Sequence, residues 1–579
     1  MTERFDPFLL EILWNRLIAI VDEAAATLVR TSFSTVVRES YDFSCVLTDR
    51  AGNSLAQASA SIPSFIGTLP KTVRHFIARF PVETMRPGDI FITNDPWLGT
   101  GHLPDVNVAK PIFRGDEVVA FAASVAHAPD IGGRVRAPDA REVFEEGLRI
   151  PEMKLYDAGV PNAGLLELLR ANVRVPDQVI GDLEAQLAAL AVAERRLLAL
   201  MDEHGLKDTE ELAATIHARS EQTMRQAIAA LPDGEYRNEL QTDGLAVPVV
   251  VRMTLTVAGD SIAIDFTGSS DQVDRAINVV PNYRDAYTGY PLKCALAPRI
   301  PNNEGIWRPI TITAPPGSIV NPLYPAACGS RVLVGHYLTT LVLGALARAL
   351  PARVIAATGS PVWCVNLAGQ SRRATRFAAM FFINGGMGGS GRRDGPSATS
   401  FPSNVSNTPV EIMETVAPIR VLEKRLLPDS GGPGTFRGGL AQRLRFQSLS
   451  PKPLTVSFLA ERTKFPATGL FGGRDGAVGG VKIAEQAVDP KATHIVPPGA
   501  VIEMTTPGGG GFGDARKRDP ERARADGEAG YVSAASRPAP ARTGARASGA
   551  RRPASGRRAS AAAPGTARAS SSRTRRRSR

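Results

Sequence analysis

Two histidines and an aspartate in the stretch Gly88–Gly133 have the types and spacing of a metal site. His102 and Asp105 lie three residues apart, so a single turn can present both. His127 follows the apolar run Val118 to Val125 and would stand at the end of a strand that pairs beside the run Ile90–Ile92. A divalent cation takes imidazole nitrogens and carboxylate oxygens from a few fixed backbone points. Two histidines and one carboxylate leave coordination positions open for a reacting molecule. Manganese, iron and zinc all accept that set. Asp95 and Asp130, in the flanking loops, are candidates to orient the imidazoles from behind. Loop histidines satisfied by ordinary hydrogen bonds would show the same short spacing.

Other motifs are weaker. Gly386–Gly391 matches GxGxxG and follows the strand-like run Phe377–Ile383. The sequence after it, RRDGPSATSFPS, opens no helix, so the anion-binding helix N-terminus of a dinucleotide site is missing. Pro507–Asp514, PGGGGFGD, lacks the Lys-Ser/Thr of a phosphate loop, and no Walker A, GxSxG or HExxH occurs in the chain. Cys45, Cys294, Cys328 and Cys364 form no CxxC pair and read as reduced core thiols. Arg38, Glu39 and Asp42 precede a strand and read as a surface charge cluster.

The elements that must position these residues point to an α+β fold in several parts. A helix is predicted from Pro7 to about Val29, with Asp6 as its cap. Strands ending near Leu47 and starting near Ser54 flank the turn Asp49–Asn53, and a second helix covers Ser64–Phe80. Asn172–Leu231 reads as a helical hairpin broken near Gly205, with His204 and His217 as surface or cap residues. Residues 249–257 and 261–269 alternate around Ala258-Gly259-Asp260 as a β-hairpin. The expected organisation is an N-terminal α+β part with the metal site (1–170) and a helical hairpin (171–232). A mixed α/β part (233–426), a β-rich, loop-rich part (427–533) and a basic tail (534–579) follow.

The net charge of +11 suggests polyanion binding, yet thirteen arginines and no acid lie in 534–579. Removing them leaves −2 for the first 533 residues, so no specific nucleic-acid site is expected in the folded body. The tail, rich in Arg, Ala, Ser, Gly and Pro, has too little apolar surface to offset its ordering entropy. No apolar run is long enough to cross a bilayer. The first residues, MTERFDPFLLEILWNRL, carry acids and a Trp within their apolar part and do not read as a secretory signal, so a cytoplasmic protein is expected.

Several longer segments carry a resemblance. RESYDFSCVLTDRAGN (38–53), GDIFITNDPWLGTGHLPDV (88–106), AHAPDIGG (126–133) and EEGLRIPEMKL (145–155) resemble the hydantoinase B/oxoprolinase family. PPGSIVNPLYPAACGSR (315–331), NGGMGGSGRRDG (384–395), SNTPVEIMETVAPIRV (406–421), LLPDSGGPGTFRGGL (426–440) and TPGGGGFGDARKRDPERARAD (506–526) extend it in order over most of the chain. The resemblance implies a divalent metal (Mn, Zn or Fe) on His102, Asp105 and His127. It implies a hetero-oligomer in which ATP sits on a hydantoinase A-type partner. The implied reaction is ATP-dependent opening of a hydantoin, 5-oxoproline or related lactam. A ketone carboxylase component of the acetone carboxylase kind and a non-catalytic scaffold are the alternatives. Asp95, Glu145 and Glu146 are the implied proton-transfer candidates. The chain departs from the family at Ala128, where many members have His or Trp, and in its Arg-rich tail.

Overall fold

In the computed structural model the described residues are 5–536, apart from 372 and 374; the basic tail from 537 onward lies outside them. The first helix, Pro7–Thr31, forms where the apolar period predicts it. Asp6 caps it by accepting from the Phe8 and Leu9 amides. Its buried stripe (Leu10, Leu13, Leu17, Val21, Leu28) packs on the long helix Pro176–Glu203 and on a seven-stranded sheet.

That sheet holds β1 (Phe43–Asp49), β2 (Ser54–Gln57), β3 (Ile90–Thr93), β4 (Asp105–Arg114), β5 (Glu117–His127), β6 (Met153–Asp157) and β7 (Val160–Pro161) in the antiparallel order β2-β1-β5-β4-β3-β6-β7. The turn between β1 and β2 is the predicted one, with the Asp49 carboxylate accepting from the Ala51 and Asn53 amides. The expected pairing of β5 beside β3 is corrected. A further strand, β4, begins at Asp105 itself and lies between them. Both faces of the sheet are covered. Cys45, Leu47, Ala120 and Ala122 face the first helix and Pro176–Glu203. Val46, Phe121, Ala123 and Val125 face the helix Pro63–Arg79 and the core beyond it. Two-sided burial explains why Val118–Val125 is apolar without alternation.

The two helices of the predicted hairpin, Pro176–Glu203 and Glu210–Ala229, do form and break at Gly205. They do not pack along each other. The first lies on the N-terminal helix and on β4 and β5, whereas the second turns Met224 and Ile228 into the other core. His204 caps the first, as expected. His217 is buried rather than on the surface, with Nε2 2.8 Å from the Ser54 carbonyl.

A second sheet, β11-β10-β9-β8, contains β8 (Gly234–Thr242), the predicted hairpin of β9 (Val249–Ala258) and β10 (Ser261–Asp265), and β11 (Ile310–Thr313) parallel to β10. The remaining strands are β12 (Trp363–Gln370), β13 (Arg376–Ile383), β14 (Ile419–Leu426), β15 (Gln442–Ser448), β16 (Leu454–Leu459), β17 (Gly480–Ile483), β18 (Gln486–Ala487), β19 (Thr493–Val496) and β20 (Val501–Thr505). They form the sheets β13-β12-β16-β19 and β14-β15-β20-β17-β18 around Trp363, Phe381, Phe446 and Phe458. β14, before residue 427, pairs with β15, after it, so one sheet spans that position.

The glycine-rich runs have a packing role. Gly386, Gly439, Gly509 and Gly510 lie in segments stacked backbone on backbone. Gly439 N donates to Met387 O at 2.7 Å, Gly509 N to Gly439 O at 2.9 Å and Gly389 N to Gly510 O at 2.9 Å. A Cβ on Gly439 would overlap the Pro396 carbonyl, and one on Gly509 the Met387 carbonyl. Only glycine admits so close an approach of two chains. We expect Gly439→Ala to cost about 3 kcal/mol or to abolish folding. Gly480→Ala, with nothing within 4 Å of its added Cβ, should change stability by about 0.5 kcal/mol or less. Denaturant unfolding of both variants checks this, and equal losses would remove the stacking explanation.

Candidate metal centre

Antiparallel pairing sets Asp105, the first residue of β4, directly opposite His127, the last of β5. Paired residues on neighbouring strands project to the same face. β5 also pairs with β1, Phe43 opposite Ala126, which brings Asp42 beside His127. The His127 amide donates to the Asp42 carbonyl at 3.1 Å. His102 reaches the same point from the turn ahead of β4. That turn depends on Gly101, which has φ +99° and would press a Cβ to 2.6 Å from Arg331 Nε.

The two oxygens of Asp105 have different surroundings. Oδ2 accepts from Thr100 Oγ1 at 2.6 Å and from Arg331 Nη2 at 2.9 Å. Arg331 is itself held by Thr100 O at 2.9 Å and by the Tyr283 ring, 4.1 Å away. Oδ1 lies 2.9 Å from His127 Nδ1 and 2.7 Å from His102 Nε2. All three side chains are buried. Candidate ligand atoms of His102, Asp105 and His127 lie within 4.8 Å of one another.

Protonation makes this arrangement diagnostic. Burial, and then the charge of Arg331, push the His102 imidazolium well below its ordinary range, so the ring is neutral. Its Nδ1 faces the Gly329 carbonyl at 3.2 Å and its Nε2 the Asp105 carboxylate at 2.7 Å, two acceptors for the one proton of a neutral ring. With the proton on Nδ1, Nε2 presents a lone pair beside the carboxylate rather than a hydrogen bond to it. Burial opposes the charge on Asp105, but the neighbouring histidines and Arg331 outweigh it and hold the carboxyl well below the usual range. Two lone-pair-bearing atoms therefore face each other in a dry site, an arrangement that a cation between them would satisfy. The donor set fits a divalent ion.

Asp42, read from sequence as part of a surface cluster, is buried in the site. Its Oδ2 lies 3.8 Å from His127 Nδ1, and burial pushes its carboxyl up to about 6 against the pull of His127. Arg38 and Glu39 do pair with each other outside the site, at 3.3 Å. The expectation that Asp95 and Asp130 orient the imidazoles is corrected. Asp95 is bound to Arg149 at 2.6 Å and to the Trp97 amide. Asp130 pairs with Arg174 at 2.6 Å. The His102 ring is steered instead by Gly329 O, a carbonyl from a distant loop.

Of the three proton-transfer candidates, Asp95 is thus occupied by Arg149, and Glu145 pairs with Arg134 at 3.0 Å. Glu146 is placed differently. Its Oε1 accepts from the Cys328 and Gly329 amides at 2.9 and 2.6 Å, so it anchors the loop that orients His102. Its Oε2 is buried with no hydrogen-bond partner. Burial pushes its carboxyl up to about 7, although the two amides and Arg136 pull the other way. Sequence spacing carries no sign of Arg331, Tyr283 or Gly329, which lie about two hundred residues from His102.

Two small cavities flank the cluster. One, of about 40 Å³, is lined by the three candidate ligands with Tyr283, Tyr287 and His336. The other, of about 60 Å³, lies on the opposite side of His127 and is lined by Glu146, Asp130, Arg174 and Met380 among others. His127 and Arg136 border both.

Comparison with known proteins gives this geometry a context. The family model described as hydantoinase B/oxoprolinase matches residues 6–515. The B subunit of a putative D-/L-hydantoinase from Pseudomonas sp. (strain NS671) is 31% identical over 558 residues, covering 92% of this chain and 94% of its own. The crystal structure of the ATP-dependent caprolactamase from Pseudomonas jessenii superposes with a TM-score of 0.84 at 28% identity, over 92% of this chain and 95% of that one. A nucleotide-free acetone carboxylase shares the fold, with a TM-score of 0.83 at 20% identity over 91% and 78% of the two chains. A match over nearly the whole described body, by sequence and by fold, shows that the chain belongs to the hydantoinase B/oxoprolinase family.

Proposed function

We propose that this chain is the metal-bearing component of an ATP-dependent enzyme that opens a cyclic amide: a hydantoin, 5-oxoproline or a related lactam. ATP is handled by a hydantoinase A-type partner, and the two chains work as a hetero-oligomer. The observation that carries the reading is the buried cluster of His102, Asp105 and His127, with ligand atoms within 4.8 Å of one another, in a chain of this family. His102, Asp105 and His127 are the ligands, and Asp42 can add a carboxylate oxygen. A divalent ion held there, manganese, zinc or iron, supplies Lewis-acid polarisation of a carbonyl and a lowered pKa for bound water.

The chain's own groups do the rest. Arg331 and Thr100 occupy Asp105 Oδ2, so the carboxylate stays ionised and presents one fixed oxygen. Gly329 O faces His102 Nδ1 and steers the ring. Glu146 is the proton-transfer group, because its carboxyl exchanges a proton near neutral pH and its Oε2 has no competing partner. Asp95 and Glu145 support the loops that frame the site through Arg149 and Arg134. The nucleotide belongs on the partner, since the GxGxxG run of this chain is consumed in backbone stacking. The lactam reading is preferred over ketone carboxylation because the caprolactamase is more alike in sequence and extent, whereas the acetone carboxylase likeness is one of fold alone.

His102→Ala should lose its bound divalent ion, measured by elemental analysis of purified protein. It should also lose partner- and ATP-dependent ring opening while keeping wild-type secondary structure. A variant that kept a full complement of metal would overturn the ligand assignment.

Glu146 gives a prediction with a definite sign. Its folded-state pKa, about 7, lies above the ordinary 4.5 of a glutamate side chain. The folded protein therefore holds a proton that the unfolded chain releases, and this contribution to stability is present at low pH and lost as pH rises through about 7. In Glu146→Gln that loss is absent, so the melting temperature of the variant relative to wild type should rise between about pH 5 and pH 8. The same substitution should remove a limb with apparent pKa near 7 from the pH dependence of kcat/KM, and lower the rate by roughly 10²–10⁴-fold. An unchanged pH profile would exclude Glu146 from proton transfer.

A further inference from the structure

Arg136 stands apart from the other cations near the site. The arginines that line the second cavity with it are neutralised: Arg174 by Asp130 at 2.6 Å, and Arg134 by Glu145 at 3.0 Å. Arg331, in the first cavity, is neutralised by Asp105 at 2.9 Å. Among the described residues no carboxylate forms an ion pair with the Arg136 guanidinium. Its Nε donates to Gly329 O at 3.0 Å and its Nη1 to Met380 Sδ at 3.5 Å. The backbone is pinned, because Arg136 O accepts from Asn366 Nδ2 at 3.0 Å and from Ser457 Oγ. A guanidinium is thus held where it borders both cavities, with the carboxylates around it outside ion-pair contact and its fork open to a further anion.

The charge count of the site leads the same way. Asp42 and Asp105 balance Arg136 and Arg331, so a divalent ion on the cluster leaves the site with a net of about two positive charges. Glu146 offsets one at most, and only when it is ionised. The deficit matches an anionic group on whatever occupies the cavities. The planar fork of arginine suits phosphate or carboxylate oxygens equally.

We propose that Arg136 is the anion receptor of this site. It takes the charged group of the substrate at the junction of the two cavities, and so holds the reacting carbonyl next to the metal ligands. That group is either the phosphoryl placed on the substrate by ATP-dependent activation or a carboxylate the substrate itself carries. The inference rests on the cyclic-amide reading above, and the experiment separates the two.

Binding of inorganic phosphate to the metal-loaded full-length chain is measured by calorimetry for wild type, Arg136→Gln and Arg136→Lys, with metal content determined on the same samples. Wild type should bind phosphate. Arg136→Gln should keep its metal and bind about tenfold more weakly or worse, and Arg136→Lys should fall between. Turnover with the partner and ATP is then compared for a neutral lactam, caprolactam, and a carboxylate-bearing one, 5-oxoproline. A similar rise in KM for both substrates in Arg136→Gln supports receipt of the phosphoryl group. A rise confined to 5-oxoproline supports receipt of the substrate carboxylate. Unchanged phosphate affinity in Arg136→Gln, or no phosphate binding by wild type, overturns the proposal. Metal retained in full by His102→Ala would instead sink the metal-site reading and leave the phosphate result to be judged on its own.

Discussion

The Arg331–Asp105 ion pair is the constraint on which the site depends. A buried carboxylate between two imidazoles would take up a proton or turn away unless its charge were matched. Arg331, with Thr100, matches it on one oxygen only, so the other stays ionised and points at both histidines. The pair also joins distant parts of the chain, since Arg331 lies 226 residues from Asp105 and rests on Tyr283 of the helix Pro281–Leu296. The site therefore exists only when the seven-stranded sheet and the segment around residue 331 have docked. Gly101 records the tightness of that docking, because any side chain there would strike Arg331.

The sheet supplies the other half of the geometry. Asp42, His127 and Asp105 lie at the neighbouring ends of β1, β5 and β4, held in register by ladders that run the length of those strands. A slip of one residue would turn His127 to the opposite face and carry Val125 and Ala123 out of their core. Burial on both faces makes such a slip costly in either direction. The geometry of the Asp42–His127–Asp105 cluster is thus protected by apolar packing that has no chemical role, and the long apolar run ahead of His127 serves the site through its register.

Much of this is legible in the sequence where the cause is local. The capped first helix, the Asp49–Asn53 turn, the 258–260 hairpin and the His102-x-x-Asp105 pair all follow from residues within a few positions of one another. What is not legible depends on long-range pairing. β4 is hidden because Asp105, read as a candidate ligand on a turn, doubles as its first residue. Asp42 reads as surface charge because nothing nearby in sequence shows that its strand lies beside β5. The helices Pro176–Glu203 and Glu210–Ala229 each have an apolar stripe, and periodicity alone does not say that the second is divided, with Leu212 and Ile216 in the core of the first helix and Met224 and Ile228 in the other. The GxGxxG run has the composition of a phosphate loop, but its glycines are required by carbonyls from other segments.

The cavities bear on how the site works. At about 40 and 60 Å³, each exceeds the roughly 10–15 Å³ that one water molecule needs on this measure. His127 and Arg136 line both. His127 is held by its strand and by Asp105, whereas the guanidinium of Arg136 has one firm hydrogen bond, to Gly329 O. Of the two, only Arg136 can adjust to an occupant without disturbing a strand, since its backbone is pinned and its side chain has that one firm contact. Gly329 O also faces the His102 ring, so rearrangement at Arg136 changes the set of donors that this carbonyl shares. The Arg136 guanidinium and the His102 ring are thus linked through a single backbone oxygen, on a loop that Glu146 anchors from the other side.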